Sequence, residues 1–319
     1  MPVALVTDSC HYLPHELAEA CELYEVSLYV QHDGQAARER DIVDYDAFFE
    51  SLASATKLPT TSQPSVGDFL SVYKPLVSNG YEIVSIHLAG GISGTVRSAE
   101  QAREQLGVAA AQVHVLDSET ACGAQGLVLL AAASAIRRGD DAEAVVAHAR
   151  EARAALEFQF TLESLEYLRK GGRIGGAQAW LGSALQIRPI LSLESQIGAV
   201  ERVRTSRRAF ERLVALLEHM KEHDCDGWVV QHTHAPERAQ ALVERGREIF
   251  GTEPVFVSEI GPVIGTHIGP GLLGVGGTRR AFLDEGLLSA AAPAATEQGA
   301  EGATDPAREG EPGGGGGDL

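Results

Sequence analysis

Three clusters of hydroxyl and imidazole side chains carry most of the chemistry this sequence offers: Thr60-Thr61-Ser62, Ser93-Gly94-Thr95 and Thr266-His267. The Ser93 turn lies between a strand-like segment and a helix-like one, which in an open α/β sheet is the ligand-binding edge. Its hydroxyls, with free N–H groups at a helix N-terminus, suit an anion. The same residues also have plain structural uses. Ser93 or Thr95 can cap the helix beginning at Val96, Thr60-Thr61-Ser62 can be ordinary loop residues between Pro59 and Pro64, and His267 can bond its loop neighbours. Gly261, Gly265, Gly269 and Gly271 around His267 argue for close backbone approach to another group.

A hydrolytic triad is chemically conceivable, with Ser93 or Ser62 as nucleophile, His267 as base and Asp8 or Asp117 as third member. The sequence has no GxSxG elbow and no GxxxxGK[ST] loop, so neither serine-hydrolase geometry nor ATP chemistry by this chain alone is expected. Asp8 and Asp117 end predicted strands, where carboxylates more often hold loops than metals. His232 and His234 lack an evident third ligand, and no metal centre or cofactor is expected.

The elements that must position these clusters alternate in the first half. Strands are predicted at 3–7, 26–30, 82–88 and 113–118. Helices are predicted after Pro14, from near Asp44, around Phe69–Leu76, over 96–106 and over 123–136. Residues 58–65, with two prolines, read as a loop. This rhythm predicts a parallel sheet covered on both faces. After a helix near 141–155 the rhythm changes. A strand at 157–162 leads to a helix ending at Gly171-Gly172 and a hairpin over 189–205. Helices at 206–221 and 236–250 then alternate with strands at 227–232 and 254–259. The expected organisation is an N-terminal α/β domain over 1–155, a second α/β domain with a mixed sheet over 156–285, and a tail over 290–319.

That tail holds eight Gly, three Pro and six acids against one arginine, and its composition predicts disorder. The chain has 319 residues and a net charge of −18, which argues against a general nucleic-acid binder. No run of 18 apolar residues predicts a membrane span, and the opening MPVALVTDS lacks a signal-peptide pattern. Cys10, Cys21, Cys122 and Cys225 are scattered and read as reduced thiols of a cytoplasmic protein.

Taken in order, eight motifs resemble the DegV family: VTDS (6–9), TSQPS (61–65), ISGTVRSA (92–99), VLDS (115–118), LEYLRKGGRI (165–174), RPIL (188–191), VRT (203–205) and GPVIGTHIGPG (261–271). The resemblance covers about residues 3–277. It implies a two-domain α/β protein that binds a long-chain fatty acid, of the palmitate or oleate class, in an apolar tunnel. It also implies that the protein is not catalytic alone, but is the acyl-carrying subunit of a fatty acid kinase. A separate ATP-dependent subunit would convert the bound carboxylate to acyl phosphate for phospholipid synthesis, with peripheral membrane contact during lipid exchange.

By motif, Thr61, Ser62 and Ser93 would meet the carboxylate, with Thr266 and His267 approaching from the second domain. Arg173 and Arg204 would face the kinase, within a basic cluster that includes Lys170 and Arg202. Segments 126–136 and 175–185 offer apolar residues for the tunnel or for ordinary core. The competing readings are a serine hydrolase acting on lipid esters and a regulatory lipid sensor. Cys10-His11 after VTDS and the acidic tail depart from the family pattern.

Overall fold

The computed structural model describes residues 1–290, except for the side chains of 181–186 and 290. From residue 291 the acidic tail, for which disorder is expected, lies outside the described residues.

The chain opens with β1 (Val3–Asp8), α1 (His15–Ala20) and β2 (Tyr24–Val26). It then turns aside into β3 (Tyr29–His32), β4 (Gln35–Arg38), α2 (Tyr45–Ser54) and β5 (Thr60–Ser62). There follow α3 (Val66–Ser78), β6 (Glu82–His87), α4 (Thr95–Glu104), β7 (Val113–Asp117), α5 (Cys122–Arg137) and α6 (Ala142–Ala154). Four of these strands form a parallel sheet in the order β2-β1-β6-β7, and β4-β3-β5 form a small antiparallel one. The second half brings β8 (Glu157–Thr161), α7 (Glu166–Lys170), a 3-10 stretch at Gly175–Gln186, β9 (Arg188–Glu194) and β10 (Gln196–Val203). It ends with α8 (Ser206–Glu222), β11 (Gly227–His232), α9 (Pro236–Phe250), β12 (Phe256–Glu259), α10 (Pro262–Ile268), β13 (Leu273–Thr278) and α11 (Glu285–Ala290). Its six strands make a mixed sheet, β10-β9-β8-β13-β11-β12. The fold is thus α/β, with one parallel and one mixed sheet as the strand–helix rhythm predicts, and the small antiparallel sheet beside them.

β1 and β6 are buried along nearly their whole length, as strands of a sheet covered on both faces are. α5 is apolar all round and buried from Cys122 to Ala135. Such a helix has to be enclosed, and it packs between β1 on one side and β11, β12 and β13 on the other. Residues 126–135 are therefore core, and none of 126–136 lines the cavity described below.

Two segments depart from the sequence reading. The run at 26–30 is not one strand: Val26 ends β2, and Tyr29 starts β3 in another sheet. Between them Leu28 N–H donates to Ser9 Oγ and Arg40 N–H to Ser27 Oγ, which turns the chain out of the first sheet. The proline-flanked loop at 58–65 contains β5, paired antiparallel with β3 through Val30 and Thr61. Pro59 and Pro64 bracket this short edge strand without interrupting its ladder.

The Gly-rich segment read as a loop around His267 contains α10, and its start is held by a buried carboxylate. Glu39 Oε1 accepts from Val263 N–H at 2.7 Å and from the Tyr12 hydroxyl at 2.6 Å, while Oε2 accepts from Ser9 Oγ at 2.5 Å. Burial nevertheless raises the Glu39 pKa to about 7 from its ordinary 4.5. Across that window the folded chain holds a proton that the unfolded chain releases, so this contribution is full at low pH and is lost as pH rises. We expect Glu39→Gln to gain stability relative to the parent between pH 4.5 and 7, by on the order of 3 kcal/mol in urea titrations. A parent–variant difference that stays constant with pH would refute this.

Candidate functional site

β5, the turn after β6, the end of α7 and α10 converge on one cavity of about 250 Å³. Most of its lining is apolar, including Phe158, Phe160, Leu168, Leu193 and Ile197. Its polar groups are few: Thr61, Ser62, Gln63, Ser93, Arg173 and His267. A largely apolar cleft with a few polar side chains is the usual form of a small-molecule site.

Direct contacts draw these polar groups together. His267 Nε2 lies 2.7 Å from Thr61 Oγ1, joining residues 206 apart in sequence. The Arg173 guanidinium donates through Nε to Ile92 O at 3.3 Å, next to Ser93, and through Nη1 to Gly171 O at 2.6 Å. Gln63 reaches Ser98 of α4 at 3.2 Å. Ser93 Oγ pairs with Thr95 Oγ1 at 2.8 Å and accepts from Thr95 N–H at 3.3 Å, so it both starts α4 and lines the cavity.

Burial, reinforced by the charge of Arg173, pushes the His267 pKa down to about 4. The imidazole is therefore neutral at neutral pH. Its Nδ1 is buried without a hydrogen-bond partner. A lone nitrogen that accepts is cheaper to leave unpaired than an N–H, which places the proton on Nε2, donating to Thr61. Thr61 is then free to turn its own hydroxyl hydrogen into the cavity.

Of the sequence-derived candidates, Thr61, Ser62, Ser93, Arg173 and His267 share this cavity, and Thr266 and Arg204 do not line it. Thr266 is buried and its hydroxyl donates to Pro262 O at 2.8 Å, inside its own helix. Arg204 follows β10 on the exposed surface. Lys170 pairs with Glu166 at 3.5 Å, and the Arg202 guanidinium stands 5.6 Å from the Trp180 ring centre. Gln63 and Cys122 line the cavity without having been singled out from sequence. The TSQPS motif contained the first; nothing local marked the second. Within 175–180 no residue lines the cavity, and the side chains of 181–185 lie outside the described residues.

Asp8 and Asp117 hold backbone. Asp8 accepts from Cys10 N–H and Leu88 N–H, and Asp117 accepts from Gly90 N–H and Glu119 N–H. An Asp–His–Ser chain does form, but not where a hydrolase needs it. Asp8 Oδ2 lies 3.1 Å from His87 Nδ1, and His87 Nε2 lies 2.7 Å from Ser85 Oγ. All three are fully buried, and Ser85 also accepts from Tyr73 OH, so its oxygen faces core. Ser62 accepts from Gln31 Nε2 and Ser93 bonds Thr95; His267 bonds neither serine. The hydrogen-bonded nucleophile–base pair of a serine hydrolase is therefore not assembled at this cavity. His234 pairs with Asp46 at 2.8 Å, and His232 Nδ1 lies 3.4 Å from Ala235 N, so the two imidazoles serve separate partners.

A family model described as an uncharacterised protein of the DegV family matches residues 2–279. A DegV domain-containing protein of Listeria innocua is 36% identical over 276 residues, covering 86% of this chain and 97% of its own. Among solved structures, a DegV family protein from Thermus thermophilus, described by its fatty acid binding, superposes with a TM-score of 0.79 at 32% identity. The match covers 88% of this chain and all of that one. DegV from Bacillus subtilis, described as a fatty acid binding protein, gives 0.77 at 33% identity with the same coverage.

Proposed function

This chain belongs to the DegV family, and we propose that its cavity holds one long-chain fatty acid and presents the carboxylate to a separate ATP-dependent kinase subunit. The observation that carries the reading is the lining: mostly aromatic and aliphatic walls with a few polar side chains, among which Thr61 meets His267 and Arg173 reaches the carbonyl next to Ser93. That division fits an amphiphile with one charged end. The similarity to solved DegV proteins described as binding fatty acids supports it.

Burying about fourteen methylenes contributes roughly 11 kcal/mol, part of which is lost to immobilisation. A carboxylate buried without partners would cancel the gain. Thr61, oriented by neutral His267, would donate to it; Ser62 and Ser93 would add hydroxyls, and Arg173 a guanidinium. Thr266, whose hydroxyl is engaged by Pro262 O, would act one step removed, from within the helix that carries His267. With the anhydride-forming step left to the kinase, this chain would supply binding and orientation but no nucleophile.

Protein purified from a bacterial host should release about one fatty acid per chain on denaturing extraction. Ser93→Ala and Thr61→Val should each lower palmitate affinity about five- to a hundredfold, the cost of one hydrogen bond to a charged group. No extracted acyl chain, together with no binding of added palmitate or oleate, would falsify the lipid-carrier reading.

A further inference from the structure

We propose that the last turn of α8 is a binding site for a divalent transition metal such as Zn²⁺, formed by His219, Glu222 and His223 and backed by Glu157. It lies outside the cavity and does not depend on what the cavity holds. His219 and His223 are four residues apart and so share one face of the helix, with ring centres 4.0 Å apart. One ligand atom from each of the three residues lies within 4.8 Å of the others, close enough for exposed side chains to close around one ion. Two imidazoles and a carboxylate suit Zn²⁺, Co²⁺ or Ni²⁺ rather than Mg²⁺ or Ca²⁺.

Two further features make this more than a chance pair of histidines. His223 Nδ1–H donates to the backbone carbonyl of His219 at 2.8 Å. That bond fixes the ring and leaves the Nε2 lone pair directed away, the arrangement in which a histidine ligates metal. From outside the helix, Glu157 Oε2 stands 3.4 Å from His219 Nε2. It either holds that ring as a carboxylate partner or completes the ligand set. The ion would also sit at the C-terminal end of a 17-residue helix, where the backbone dipole favours positive charge. Because Glu157 opens β8, a bound ion would tie the end of α8 to the mixed sheet.

The test uses tag-free, EDTA-stripped full-length protein titrated with ZnCl₂ by calorimetry, and with Co²⁺ by visible absorption. One ion per chain is expected, with a raised melting temperature that EDTA reverses and no comparable effect of Mg²⁺. His219→Ala and His223→Ala should each weaken binding at least about tenfold, the scale on which ligand-shell losses are felt. Glu157→Gln should weaken it less, and His15→Ala, on another exposed helix, should leave it unchanged. His219 and His223 are exposed and Glu157 is only partly buried, so melting curves without metal should match the parent and show that the variants fold. Zn²⁺ binding that persists in the His219→Ala/His223→Ala double variant overturns the proposal. So does absence of Zn²⁺ and Co²⁺ binding by the parent at 100-micromolar levels, on the order of a weak surface site.

Discussion

Arg204→Ala protein is expected to keep its fatty acid and to lose acyl phosphate formation with an ATP-dependent fatty acid kinase subunit by at least about thirtyfold, the effect of removing an interface hot-spot arginine. The structure separates the two arginines that sequence alone grouped. Arg173 lines the cavity, and its guanidinium is engaged by Ile92 O and Gly171 O. Arg204 is exposed and does not line that cavity. A rigid fork of donors on an open surface is suited to a carboxylate or phosphate on a partner.

Arg173→Ala should instead weaken both steps, lowering fatty acid affinity about ten- to a hundredfold because a charge-assisted donor is removed from the ligand head. Calorimetry with palmitate and an acyl phosphate assay on the same preparations separate the cases. Full acyl phosphate formation by Arg204→Ala would remove that residue from the docking surface. Equal palmitate affinity in Arg173→Ala and the parent would place the carboxylate away from Arg173.

Most of the architecture was legible because strand and helix periods are local. β1, β6, β7 and β11 lie where apolar runs place them. What escaped was decided by contacts distant in sequence. α10 forms in a glycine-rich stretch because Glu39, more than 220 residues earlier, accepts from its first free N–H. Glu39 sits in the charged run Arg38-Glu39-Arg40-Asp41, and nothing in that pattern distinguishes the one side chain that turns inward. β5 escaped because a short run with Pro59 immediately before it and Pro64 two residues after it looks like a loop until β3 is present to pair with it. At the cavity, the TSQPS and SGT hydroxyls were readable as donors, but the Thr61–His267 bond joins separate motifs and appears only in the folded chain. Thr266 bonds within α10 for a related reason. On a loop its hydroxyl would be available, whereas on a helix a threonine readily bonds the carbonyl four residues back.

The Lys170-Gly171-Gly172-Arg173 sequence contains two glycines with different purposes, and exchanging each for alanine should separate folding from binding. Gly172 has φ +73 and open space around it. It is the left-handed residue of a helix-ending motif in which Gly172 N–H donates to Arg169 O and Arg173 N–H to Leu168 O. Alanine there should cost stability, about 1 kcal/mol, with the cavity little changed.

Gly171 has helical φ and ψ, −75° and −11°, so its backbone accepts alanine without strain. A β-carbon at Gly171 would, however, run into His267 Nδ1, far inside van der Waals contact. His267 is partly enclosed and can yield only by swinging away, which breaks its bond to Thr61 and leaves the carboxylate end without its oriented donor. Gly171→Ala should therefore melt close to the parent temperature and bind palmitate about five- to a hundredfold more weakly. Misplacement of the ligand head should slow acyl phosphate formation by about a hundredfold. If Gly171→Ala binds palmitate as the parent does while Gly172→Ala does not, the contact between Gly171 and His267 is not what positions the ligand head.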